Sequence, residues 1–122
     1  MTEQHLTSLV PKVEALRAGM LEYRESYLQD GEPEPYSIQQ VDACARTLLD
    51  YIEAIRHAVD RSEALRHVQK SVLTLNDLNE RCDHSLIETM QREDIANIII
   101  SAGEIRGFYA EDEDVTGEWR EW

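Results

Sequence analysis

Apolar residues recur at steps of three and four through almost the whole chain, the spacing that places them on one face of an α-helix. Two such stripes flank a short polar turn between Val68 and Tyr109, and the second contains Ile95, Ile98, Ile99, Ile100 and Ile105. This pattern predicts a buried helical hairpin, with two earlier amphipathic helices laid on it and an acidic tail after it.

The first stripe is Leu6, Leu9, Val13, Leu16, Met20, Tyr23 and Tyr27. Proline cannot sit deep in a helix without removing a hydrogen bond, so a start near Thr7 or Ser8 with Pro11 in the first turn is expected. The helix ends before Asp30-Gly31, because the DGEPEP run that follows cannot continue it. Ser37 and Gln40 then stand at capping-box spacing and Tyr36 can staple onto Val41, which sets the second helix start. Its predicted face is Ile38, Val41, Ala45, Leu48, Ile52, Ile55 and Val59, widened by Leu49.

Asp60 and Glu63 repeat the capping spacing, so a third helix begins at Asp60 or Ser62 with Leu65, Val68, Val72, Leu75, Leu78 and Cys82 inward. The fourth begins at Ser85 or Thr89, with Thr89 favoured, and runs through Ile95, Ile98, Ala102 and Ile105 to a C-cap at Gly107. The expected architecture is an all-α, four-helix bundle-like domain of antiparallel amphipathic helices over residues 1–109, followed by an acidic C-terminal tail at 110–122. The tail carries six acids against Arg120. Five net negative charges oppose docking on an acidic body, so Trp119 and Trp122 must hold it if it is held, with the run Glu111 to Asp114 exposed.

Composition narrows the function. With 12 Lys and Arg against 25 Asp and Glu, the 122-residue chain has a formal charge of -13, which repels nucleic acid and anionic membranes and suits a basic protein partner. The stretch from Glu53 to Lys70 is the one segment that is not acidic, and it reads as a solvated helix surface or as the face turned away from such a partner. No continuous apolar run is long enough for a membrane span or a signal peptide, so a cytoplasmic location is expected. Cys44 and Cys82 are read as free, half-buried thiols, and His5, His57, His67 and His84 as possible sites of protonation near neutral pH.

Candidate chemistry is sparse. Glu53-His57 and Glu63-His67, in the repeated segments EAIRH and EALRH, are i,i+4 pairs that lie off the apolar stripes, the pattern of solvated pairs rather than of an inward metal site. Glu22-x-x-Glu25 and Asp50-x-x-Glu53 resemble the paired acidic motifs of the all-α, MazG-like nucleotide pyrophosphatases. That resemblance implies magnesium held by Glu22, Glu25, Asp50 and Glu53 on a nucleoside triphosphate. No phosphate-binding loop, nucleophile elbow, HExxH or CxxC is present.

The polar junction between the third and fourth helices, with Asn76, Asn79, Glu88, Gln91 and Arg92, is the other candidate for a contact site, together with Trp119 and Trp122. The reading that follows is a small acidic protein-interaction domain without a cofactor, an adaptor or an immunity-type inhibitor of a basic partner. The alternatives are the pyrophosphatase and a purely structural bundle that self-associates. A homodimer is expected, since heptad faces bury apolar area equally well across a two-fold axis.

Overall fold

The computed structural model describes residues 2–110 and 113–122. They form α1 (Thr2–Thr7), α2 (Val10–Gln29), α3 (Ile38–His57), α4 (Arg61–Arg81) and α5 (Thr89–Ile105), with no strand among them. The four long helices pack against one another as a four-helix bundle-like all-α fold.

The first stripe is divided between two helices. A break at Ser8-Leu9 separates α1 from α2, with the Ser8 hydroxyl donating to the His5 carbonyl and Leu9 N–H to the Leu6 carbonyl. Pro11 lies in the opening turn of α2, where its missing N–H costs no intrahelical bond. The stripe itself is buried from Leu6 through Met20, so the break leaves the apolar face continuous. Its last two members, Tyr23 and Tyr27, are only half-buried and their hydroxyls pair at 3.0 Å.

Helix ends follow the sequence closely. Ser37 and Gln40 form the expected reciprocal cap of α3, and the Asp60 carboxylate accepts from Glu63 N–H at 2.8 Å to cap α4. Three helices close in the same way: Glu32, His84 and Phe108 N–H groups donate five residues back, to the Tyr27, Asn79 and Gly103 carbonyls. Such a close requires a left-handed residue just after the helix. Gly31 (φ 75°) and Gly107 (φ 78°) supply it for α2 and α5, whereas α4 uses Asp83 (φ 52°) followed by His84 (φ 62°).

The central element is α3, not the Val68–Tyr109 hairpin. Its buried residues are Val41, Cys44, Ala45, Leu48, Tyr51, Ile52 and Ile55, a band wide enough to face two sides, and it packs on α1, α2, α4 and α5. The close backbone approaches of α5 are to α3, α2 and α1 rather than to α4. The segment 82–88, with Cys82, Leu86 and Ile87 buried, carries the chain across the end of the bundle so that α4 and α5 flank α3. Two residues assigned to the α3 face are exposed: Ile38 (44 %), at the first position of the helix, and Val59 (79 %), beyond its end. On α4 the inward face is turned toward Ala64, Ser71, Asn76 and Asn79, leaving Leu65 and Leu78 half-buried.

Both thiols are buried, and burial pushes the Cys44 thiol up to about 12, so it stays protonated and inert near neutral pH. No described helix is long and apolar enough to cross a membrane.

Candidate functional site

The junction asparagines act inside the molecule. Asn79, on the buried face of α4, accepts Ile87 N–H on its side-chain oxygen at 2.9 Å, while its main-chain carbonyl receives Cys82 and His84 N–H. A single residue therefore satisfies the turn that reverses the chain from α4 to α5. Asn76, one turn earlier, clamps the C-terminal segment: its Nδ2 donates to the Trp119 carbonyl at 2.8 Å and its Oδ1 accepts Glu121 N–H at 3.0 Å. Both positions fall on the core stripe of α4, where a polar group needs a built-in partner. Replacing Asn79 with Ala leaves the buried Ile87 N–H unpaired, and unfolding by denaturant is expected to register a loss of about 1.5 kcal/mol.

The described part of the tail is docked. Val115 and Thr116 are buried, and Trp119 and Trp122 pack half-buried against the core. Arg61 forms a two-pronged pair with Glu113 and also donates to the Phe108 carbonyl at 2.8 Å, with its guanidinium over the Tyr109 ring. The expected exposure of the acidic run holds for Asp114, Glu113 is half-buried in this pair, and Glu111 and Asp112 lie outside the described residues. One acid of the tail is thus an anchor rather than an obstacle, a contact that sequence alone does not reveal because Arg61 is 52 residues away.

The Arg61 guanidinium holds the Glu113 carboxyl at about 2. A carboxyl whose folded value is depressed adds stability above its unfolded value, and that contribution is lost as pH falls through the folded one. The tail should therefore loosen between about pH 4.5 and about pH 2. Emission from Trp119 and Trp122 is expected to shift to the red over that range before helical circular dichroism is lost, and Arg61→Gln should abolish the shift.

The four carboxylates of the paired acidic motifs are not brought together. Arg17 bonds Asp42 at 2.8 Å and so marks where antiparallel α2 and α3 stand side by side. Glu22 and Asp50 depart from that point in opposite directions, which at 1.5 Å per residue puts them about 20 Å apart along the axis. Glu53 is engaged by His57 at 3.0 Å and Arg56 at 3.1 Å, which lower its pKa. Among the described residues no group of three or more His, Cys, Asp or Glu side chains is placed to hold a metal ion. Asp50 instead lines an open, polar groove between α3 and α4 with Thr47, His67, Lys70 and Ser71.

Part of the junction does reach the surface. Gln91 receives Glu88 N–H at 3.2 Å as the cap of α5, and the Glu88 carboxylate lies against the Tyr23 hydroxyl. The Tyr23 phenol is raised to about 12, first by its bond with Tyr27 and then by burial and this carboxylate. Beside them α2 and α5 leave a groove. Its upper half, ≈ 440 Å³, is lined by Gly19, Glu22, Tyr23, Met90, Gln91 and Asp94, and a lower hollow of ≈ 310 Å³ continues past Ala15, Leu16 and Ile98 to Lys12. Arg92 is half-buried beside Gln91 on α5, and Asn79 lies under the same junction through its bond to Ile87 N–H, whereas Asn76 faces away from the groove toward Trp119.

Both ends of the bundle carry charges of both signs. The connections 30–37 and 82–88 share the end that carries Glu22, Glu25, Asp30, Glu32 and Glu88, where Arg24 is already paired with Glu34 and bonded to the Tyr36 carbonyl. Met90 (76 % exposed), Leu28 and Ile38 are exposed at the same end. The opposite end holds Arg56, Arg61 and Arg106 together with Glu53, Asp60, Glu63, Glu104 and Glu113, with Arg56 paired to Glu53, Arg61 to Glu113, and Arg106 bonded to the Ile55, Arg56 and Ala58 carbonyls. The non-acidic stretch at Glu53 to Lys70 thus begins at the end remote from Met90. No protein-family model, curated protein or solved structure matches this chain.

Proposed function

We propose that this chain is a small acidic interaction domain that captures a basic protein, in the manner of an adaptor or an immunity-type inhibitor. The observation that carries this reading is the coincidence, at one end of the bundle, of the acidic 30–36 connection with exposed apolar side chains at Met90, Leu28 and Ile38. The acids of that connection, on a chain of net charge -13, attract a cationic partner and raise its rate of encounter. Apolar groups beside the acids then supply the short-range contact that charge alone does not.

The test is capture by the immobilised protein at low salt and at about 0.5 M salt, where screening reduces the reach of charge to a few ångströms. A basic partner retained only at low salt, and released by a variant carrying Glu22→Gln, Glu25→Gln and Glu32→Gln, is the expected result. Absence of any salt-sensitive partner would sink the reading. Hydrolysis of nucleoside triphosphates with magnesium, lost on Glu25→Gln, would replace it with the pyrophosphatase.

A further inference from the structure

We infer that the groove between α2 and α5 is the seat for one cationic amphipathic helix of the partner. This rests on the reading of the protein as a receptor for a basic protein, and it adds where and in what form that partner binds. α2 lines this groove with Lys12, Ala15, Gly19, Glu22 and Ser26 at three-four spacing, one continuous flank of the helix beside its buried stripe. From Lys12 to Ser26 it is about 21 Å long, the length of four helical turns. A Cβ on Gly19 would meet nothing within 4 Å, so the floor of the groove is open enough for another backbone to come close.

Shape and charge both select the occupant. The groove is open along its length, which suits an added helix laid in it better than an enclosed small molecule. Leu16, Tyr23, Ile98 and Met90 supply apolar walls, and an exposed methionine adapts to varied partner side chains. Glu22 and Asp94 stand on opposite rims, on α2 and α5, with Glu88 beyond them, while Lys12 is the one cation among the lining residues. An apolar stripe flanked by lysines or arginines is complementary to that section. A second copy of this chain is not: it brings the same hollow and a further net charge of -13.

The experiment titrates the full chain with a labelled, roughly 18-residue peptide of leucine and lysine in helical periodicity, long enough to span the groove. A peptide of the same composition with the leucines scattered is the comparison. The periodic peptide should bind at least about tenfold more tightly, and Gly19→Leu or Met90→Glu should each remove that advantage while helical circular dichroism is unchanged. Both substitutions fall on exposed positions, so one can stand in if the other disturbs the fold. Equal affinity for the two peptides, unaffected by either substitution, would overturn the groove while leaving electrostatic capture intact. Failure of both peptides to bind would overturn capture as well. Sedimentation showing a dimer that Gly19→Leu converts to a monomer would assign the groove to a second copy and defeat the inference.

Discussion

Gly103→Ala should lower stability by about 3 kcal/mol, the largest loss expected from adding one methyl group to this chain. A Cβ built at Gly103 would lie 1.8 Å from Cε2 and 2.1 Å from Cδ2 of Tyr109, so the ring must leave its place. That ring is buried, and its hydroxyl shares a 3.2 Å bond with Tyr51, which also donates to the Ile99 carbonyl. Displacing it opens a void beside Tyr51 and frees the segment that leads into the tail. Denaturant unfolding should show a lower midpoint with an unchanged slope. In a Tyr109→Ala background the same substitution should be neutral or slightly stabilising, since alanine is the better helix residue by about 0.5–1 kcal/mol. An equal loss in both backgrounds would show that the clash with Tyr109 is not the cause.

Arg106→Ala is the second large effect, at about 2–3 kcal/mol. The Arg106 guanidinium donates to the carbonyls of Ile55 at 2.9 Å, Arg56 at 2.6 Å and Ala58 at 3.0 Å at the end of α3, where Ile55 also accepts Ala58 N–H. It also lies 4.9 Å from the centre of the Phe108 ring. Its loss leaves the Arg56 and Ala58 carbonyls short of a partner and detaches the end of α5 from the central helix. Lysine cannot reach three carbonyls with one ammonium while stacking on a ring, so Arg106→Lys should recover less than half of the loss. The reading is a thermal melt of the three proteins side by side. Full recovery by lysine would reduce the role of Arg106 to its charge at a helix C-terminus.

Helix type and helix ends were legible in the sequence because they depend on residues a few positions apart. Ser37 with Gln40, Asp60 with Glu63, and Gly31 and Gly107 after their helices each satisfy main-chain groups of their own turn. The inward positions of α5 followed from periodicity for the same reason, as Ile95, Ile98, Ile99 and Ala102 show. The long helix α2 starts at Val10, two or three residues after the expected start at Thr7 or Ser8, whereas the short α1 was not legible because the stripe alone does not show that the chain before Pro11 is itself helical.

Which helix lies at the centre was decided only by the tertiary structure. A stripe records that a face is buried but not against what, so the isoleucine-rich stripe pointed to the Val68–Tyr109 hairpin as the centre, whereas packing places α3 there. The same limit hid Arg61 with Glu113, Arg106 with the end of α3, and Asn76 with the tail, all contacts across more than 40 residues. It separated Glu22 and Glu25 from Asp50 and Glu53, whose spacing along the chain says nothing about a shared cation once the helices run antiparallel. The α2–α5 groove belongs to this second class. By itself the sequence determined the acidity of the chain and the helices that carry it, since both are sums over local residues; where the acids gather, and which apolar groups remain beside them without a partner, is set by how four helices are arranged in space.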